Sequence, residues 1–247
     1  LQLHIEQWHA WAPGLDTDEA WQAWAHNPVV LPDNKEQPNC DFLPAMQRRR
    51  LSRLARMTMH VAWPLCGEDE QLPFVFASRH GETPRTFALL GEVAEGQPLS
   101  PTQFGLSVHN AIAGQWSILR GQHGESVAIA GEADTFEHAL LEAAALLNDG
   151  ARSVLVAIAE ERPPPAYDGW IDDVPFSYAV ALRVGGIEPD HMAPAGERWQ
   201  LRLGPNRGTS TTGPWPHALD FVRTLHTGGS TLEHAWKKRR WMWQRIP

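Results

Sequence analysis

Cysteine is scarce: Cys40 and Cys66 are the only two in 247 residues, too few for a disulfide framework or a cysteine-rich zinc site. No apolar run approaches the ~20 residues of a membrane span, and the N-terminus lacks a basic-then-apolar leader pattern. Basic residues are in the minority, 21 Lys and Arg against 29 Asp and Glu, for a formal net charge of −8. A dedicated nucleic-acid binder shows the opposite balance. There is no internal repeat and no low-complexity tract. These absences predict a cytoplasmic protein of a reducing compartment, without a nucleic-acid partner or a membrane span. What is present is 43% hydrophobic and 20% charged, enough for one large core or two small ones. The 12 tryptophans are the compositional oddity.

The patterning predicts alternating strands and helices. Leu1–Ile5 alternates as a first strand, Trp8–Gly14 reads as a turn, and Asp16 or Thr17 can cap a helix over Asp18–Ala25. Val29–Asp41 is a proline-bearing loop. A long helix is expected from Pro44, with Leu51, Leu54, Ala55, Thr58, Val61 and Ala62 on one stripe and Arg49, Arg53 and Arg56 on a solvated face. Phe74–Ala77 is a short apolar strand. Helices follow over Phe87–Ala94 and, rich in small residues, over Phe104–Leu119. Ser126–Ala130, the sharp turn Gly131-Glu132-Ala133, the helix Asp134–Asn148 and the apolar strand Ser153–Ala159 form a strand–turn–helix–strand unit. Such a unit indicates a parallel sheet covered on both faces. Pro163–Pro165 marks a boundary, with further strands at Phe176–Val184 and Trp199–Leu203. A short helix at Pro216–Leu225 and an extended segment at Thr231–Trp243 complete the chain.

Several segments are candidates for chemistry. A strand turning abruptly into a helix places the turn at the helix N-terminus, where free N–H groups and the dipole activate a thiol or bind an oxyanion. Here that turn carries inert Ala133 between Glu132 and Asp134, so the geometry of a nucleophile site is expected without its chemistry. Asn206–Gly213 is Gly/Ser/Thr-rich but lacks the spacing and lysine of a phosphate loop. The histidines are scattered, His217 and His226 are not at a ligand spacing beside a carboxylate, and no metal is implied. Lys237–Arg240 with Trp241, Trp243 and Arg245 is either a docking patch for an acidic partner or a guarded edge strand. Arg79-His80-Gly81-Glu82-Thr83, following an apolar strand, resembles the opening motif of histidine phosphatases. In that alternative His80 is the nucleophile and Arg79 holds phosphate.

The run from Ser100 to about Ala159 resembles β-ketoacyl synthases. Its marks are Ser100-Pro101, Ser107-Val-His-Asn110-Ala-Ile-Ala-Gly114, Gly121-Gln-His-Gly124, Ser126–Ala130, Glu137–Ala143 and Gly150–Glu160. The N-terminal Trp8–Gly14 segment and Trp21 are similar to the short ketosynthase-like chain length factors of type II polyketide genes, aryl polyene synthesis being the family context. The resemblance implies an α/β fold: a truncated thiolase-like layered structure, the ketosynthase N-terminal half, with a mixed sheet covered by helices. Residues 1–185 are expected to form that domain and 186–247 a divergent extension packed on it.

The resemblance also implies what is missing. Ketosynthases carry Cys where Ala133 stands, and chain length factors commonly carry Gln. The histidines and lysine of the C-terminal half have no counterpart motif after Gly186. The expectation is therefore a subunit that is non-catalytic by itself, with no cofactor and no metal. It would heterodimerise with a full-length ketosynthase and serve chains carried on the phosphopantetheine of an acyl carrier protein. Ser126–Ala130, including Val127 and Ile129, would pair across the dimer two-fold. The segment with Phe104, Val108, Asn110, Ala111, Gly114 and Trp116 would line the partner's acyl tunnel, its bulky members ending it; ordinary core packing is the plain alternative for those. Residual thioester hydrolysis or decarboxylation at Ala133 is a third possibility.

Overall fold

The computed structural model describes residues 1–32, 34–186, 196–208 and 213–247. The first half of the chain contributes β1 (Gln2–Trp11), α1 (Asp18–His26), α2 (Ala45–Arg48), α3 (Arg53–Ala62), β2 (Phe74–Ala77), α4 (Thr83–Ala94), α5 (Pro101–Gly105) and α6 (Ala111–Arg120). The second contributes β3 (Ser126–Ile129), α7 (Thr135–Asn148), β4 (Ser153–Glu160), β5 (Tyr178–Gly185), β6 (Glu197–Pro205), α8 (His217–Thr227), β7 (Thr231–Trp236) and β8 (Arg239–Ile246). All eight strands join one sheet in the order β3-β2-β4-β5-β1-β6-β8-β7.

The apolar runs predicted as strands make the sheet's centre, and every residue of β2 and β4 is buried. Because these strands alternate between two covered faces, they supply two cores. On one face Val75, Ala77, Val154, Val156 and Ile158 pack with Phe136 and Leu140 of α7 and Phe221 of α8. On the other, Phe74, Phe76, Leu155 and Ala157 pack with Leu54 and Met57 of α3 and Trp116 of α6. The sheet is mixed: β2 is parallel to β3 and to β4, while β5, β1, β6, β8 and β7 pair antiparallel. The parallel pairing expected from the strand–helix–strand unit covers β3, β2 and β4, within the mixed sheet that the family resemblance implied.

Other expectations are corrected locally. Strand β1 runs on to Trp11, through most of the predicted turn; a register shift between Ile5 and Gln7 resets its alternation, and the reversal comes at Ala12–Leu15. Thr17 caps α1, accepting from Ala20 N–H at 3.2 Å. The single helix from Pro44 is two: α2 ends, and Ser52 begins α3 by accepting from Ala55 N–H at 3.0 Å. The α3 stripe is buried as predicted, but its arginines are not merely solvated. Arg53 donates to the Glu36 carbonyl at 2.8 Å and to Ser177 at 2.9 Å, and Arg56 donates to the Arg48 carbonyl at 2.8 Å. The helix expected over Phe104–Leu119 is also broken, into α5 and α6, with Leu106–Asn110 between them.

Strand β8 lies inside the sheet, between β6 and β7, so the basic segment is not an edge strand. Residues 209–212 of the predicted Asn206–Gly213 loop lie outside the described residues, as do 187–195 beyond Gly186. Among the described residues no helix is long and apolar enough to cross a membrane.

Candidate functional site

The turn between β3 and α7 is tight because Gly131 packs directly against Thr135. A Cβ on Gly131 would stand 3.2 Å from both Cα and Oγ1 of Thr135. Without one, Gly131 N–H reaches Thr135 Oγ1 at 3.1 Å, and that hydroxyl donates to the Glu132 carbonyl at 2.7 Å. Ala133 at this elbow lines a cleft of about 340 Å³, shared with Arg79, Glu160, Tyr178, Trp215 and His217.

Three carboxylates surround the N-terminus of α7, and the C-terminal segment holds each. Glu132 accepts from Trp236 Nε1 at 2.7 Å, Arg239 at 3.2 Å and Lys237. The Lys237 ammonium above all, then the Trp236 indole, lowers its pKa to about 2. Asp134 is fully buried and accepts from Arg239 Nε at 2.6 Å and Trp241 Nε1 at 3.0 Å. Burial pushes its carboxyl up, but Arg239 and Trp241 outweigh it and the net shift is downward. Glu137, one turn on, is also fully buried. It accepts from Nδ1 of His217 at 2.8 Å, Nδ1 of His234 at 2.6 Å and Trp243 Nε1 at 3.4 Å. Burial raises its pKa, yet the His217 charge and the two imidazole hydrogen bonds prevail and hold it at about 2.

Sequence spacing missed this cluster, because His217 and His234 are 80 and 97 positions from Glu137. The prediction that His217 has no carboxylate beside it is corrected. The three residues are of metal-ligand type, but the rings stack with centroids 3.9 Å apart and 12° between planes. No single ion lies in both of two parallel stacked ring planes, whereas the two oxygens of one carboxylate span the stack. The geometry is a hydrogen-bonded clasp.

The basic patch is corrected by the same contacts. Lys237 and Arg239 pair with the elbow acids, Arg240 pairs with Glu233, and Arg245 lies 2.9 Å from Glu197. Lys237, Arg239, Arg240 and Arg245 thus each have an acid of the same chain beside them.

At the far wall of the cleft, buried Glu160 ends β4 and accepts from Ser78 Oγ at 3.0 Å and from the backbone N–H groups of Arg79 and His80. Burial dominates and raises its pKa to about 7. The Arg79 and His80 side chains both engage Asp173, at 2.7 and 2.9 Å. A phosphate would have to displace that carboxylate against its own charge. That pairing counts against the histidine-phosphatase alternative.

The remaining predicted residues separate into two groups. Phe104, Val108, Asn110 and Gly114 are exposed, Ala111 half-buried, and Phe104 shows 57% of its surface. Trp116 instead sits in the second core, stacked on Phe74 with centroids 4.8 Å apart. Val127 and Ile129 are half-buried on β3, an edge strand. The carbonyls of Glu125 and Ile129 bond β2, so the outward backbone groups of this edge belong to Ser126, Ala128 and Ala130.

The comparisons agree with this architecture. The family model for the N-terminal domain of β-ketoacyl synthases matches residues 21–244. No curated protein matches the chain. Among solved structures, the complex of a ketosynthase (ApeO) with its chain length factor (ApeC) from Xenorhabdus doucetiae is similar at 29% identity and TM-score 0.85, covering 99% of this chain and 100% of the matched one. The ishigamide ketosynthase/chain length factor matches at 16% identity and TM-score 0.62, over 82% of this chain and 68% of that one. A β-ketoacyl synthase from Burkholderia phymatum matches at 14% identity and TM-score 0.61, over 93% and 71%. The fold is the thiolase-like fold of the ketosynthases, and the chain belongs to the β-ketoacyl synthase N-terminal domain family.

Proposed function

We propose that this chain is a chain-length-factor-like subunit that is non-catalytic by itself. It pairs with a full-length β-ketoacyl-acyl-carrier-protein synthase and shapes the acyl tunnel of that partner, in type II polyketide synthesis of the aryl polyene kind. The elbow carries this reading. Where acyl transfer needs a thiolate at a helix N-terminus, Ala133 offers a methyl group, flanked by carboxylates already committed to the C-terminal hairpin. The likeness to a ketosynthase–chain length factor complex supports the partner.

The free edge of β3, with neither proline nor charge over Ser126–Ala130, supports the mode of pairing. Exposed Phe104 and Val108 are the side chains offered to the tunnel, and small Ala111 and Gly114 permit close approach. An acyl carrier protein brings the growing chain to the ketosynthase side of the pair.

Size-exclusion chromatography of the chain mixed with the Xenorhabdus doucetiae ketosynthase tests the reading: a stable heterodimer is expected. Ala128→Pro removes an outward N–H while sparing the ladder to β2, and is expected to abolish that heterodimer. Failure of the parent chain to bind the ketosynthase sinks the proposal.

A further inference from the structure

Helices of folded domains bury their apolar stripe, and α4 breaks that habit. Leu89 is its one buried residue. Phe87, Leu90 and Val93, at three-residue spacing on one face, expose 43, 54 and 54% of their surface. From Thr86 through Gly105 every residue other than Leu89 and Glu92 is exposed. Helices α4 and α5 touch each other, and Arg85 bonds Gln103 across them, so the two form an arm.

The apolar surface continues off this arm onto the loop between β4 and β5. Phe87 meets Tyr167 edge-on at 5.7 Å, and Tyr167 meets Trp170 at 6.3 Å. Trp170 exposes 83% of its surface, in a chain that buries most of its other tryptophans. Contiguous exposed apolar surface of this kind marks an interaction site, and tryptophan is the residue that most often anchors one.

Charge selects the occupant. Glu92 and Glu95 stand among the apolar residues of the arm, and exposed Asp168 sits two positions before Trp170. A second copy would bring the same acids against these, and an anionic lipid surface would repel them. A different protein with basic groups around an aliphatic groove fits. On α5, next to the Gln103 that bonds Arg85, stands Phe104, already part of the proposed tunnel face.

We propose that the α4–α5 arm, with Trp170 as its anchor, seats in an aliphatic, basic-rimmed groove of the ketosynthase partner. This rests on the heterodimer reading above and extends its interface well beyond the edge of β3. The test is titration calorimetry of the full chain against the Xenorhabdus doucetiae ketosynthase, using the parent, Trp170→Ala and the double variant Leu90→Ser/Val93→Ser. These side chains are exposed, so circular dichroism and melting temperature should match the parent. Each variant is expected to weaken binding at least tenfold. Binding by the parent with unchanged affinity in both variants overturns the arm and leaves the heterodimer standing. No binding by the parent overturns both. A parent that sediments as a homodimer, and a Trp170→Ala variant that sediments as a monomer, would overturn the choice of partner.

Discussion

Glu137→Gln keeps volume and removes the charge from the clasp, and its cost can be worked by two routes. By geometry, the carboxylate is fully buried and takes three donors. Breaking one side of such a buried charged network costs roughly 3–5 kcal/mol. By linkage, the pKa is lowered from an ordinary 4.5 to about 2, which corresponds to about 3 kcal/mol at about 1.4 kcal/mol per decade of proton affinity. The sign follows from the direction. A carboxyl depressed on folding stabilises fully above about pH 4.5 and loses that contribution as pH falls toward 2. Urea unfolding at pH 7, 5, 4 and 3 reads both routes. The variant should lie about 3 kcal/mol below the parent at pH 7, with the gap closing below pH 4.5. Amide exchange at pH 7 should show the lost protection concentrated in α8, β7 and β8. A deficit under about 1 kcal/mol at pH 7, or one constant across the pH series, would refute the reasoning.

Three further outcomes follow from burial and charge. Trp116→Ala should cost about 3–5 kcal/mol in urea unfolding, as emptying a buried tryptophan site does, whereas Phe104→Ala should stay within about 0.5 kcal/mol; equal costs would contradict the placement of Trp116 in the core. Glu160 is raised to about 7 by burial, so its contribution is greatest below about pH 4.5 and falls as pH rises toward 7. Glu160→Gln should therefore gain stability relative to the parent across that window, and a flat difference in urea midpoint would refute the assignment. Ala133→Cys should give a thiol that is not activated, because the carboxylates of Glu132 and Asp134 offset the positive potential of the helix N-terminus; an iodoacetamide rate profile with its midpoint well below the ordinary ~8.5 would show otherwise.

What the sequence revealed was what depends on near neighbours. Phe74–Ala77 and Ser153–Ala159 read as strands because both faces are covered and no polar residue interrupts them. The first strand was cut short at Ile5, because the irregularity at Ile5–Gln7 shifts the alternating pattern and makes Trp8 and His9 look like a turn. The helix expected over Phe104–Leu119 hides its break at Leu106–Asn110, since the apolar residues on either side keep helical spacing. The elbow was legible, Gly131 and Ala133 included. Its clasp was not, for no local pattern joins Glu137 to residues beyond position 216.

The tryptophans acquire a reason in that clasp. In the C-terminal hairpin, Trp236, Trp241 and Trp243 address Glu132, Asp134 and Glu137 respectively through their indole N–H groups. Lys237, Arg239 and His234 supply further donors from the same hairpin. An indole suits such a contact because it buries a large apolar body while delivering one donor. Three acids at the start of α7 favour the helix dipole, but two of them are buried and would each be costly if unpartnered. The hairpin resolves that conflict, and in doing so commits the helix end to packing. A thiolate introduced there would have to compete with carboxylates for the same indole N–H groups and cations, so at this helix end the C-terminal anchor and an activated nucleophile are alternatives. The subunit role proposed above accordingly works through surfaces, the free edge of β3 and the α4–α5 arm, instead of through the elbow.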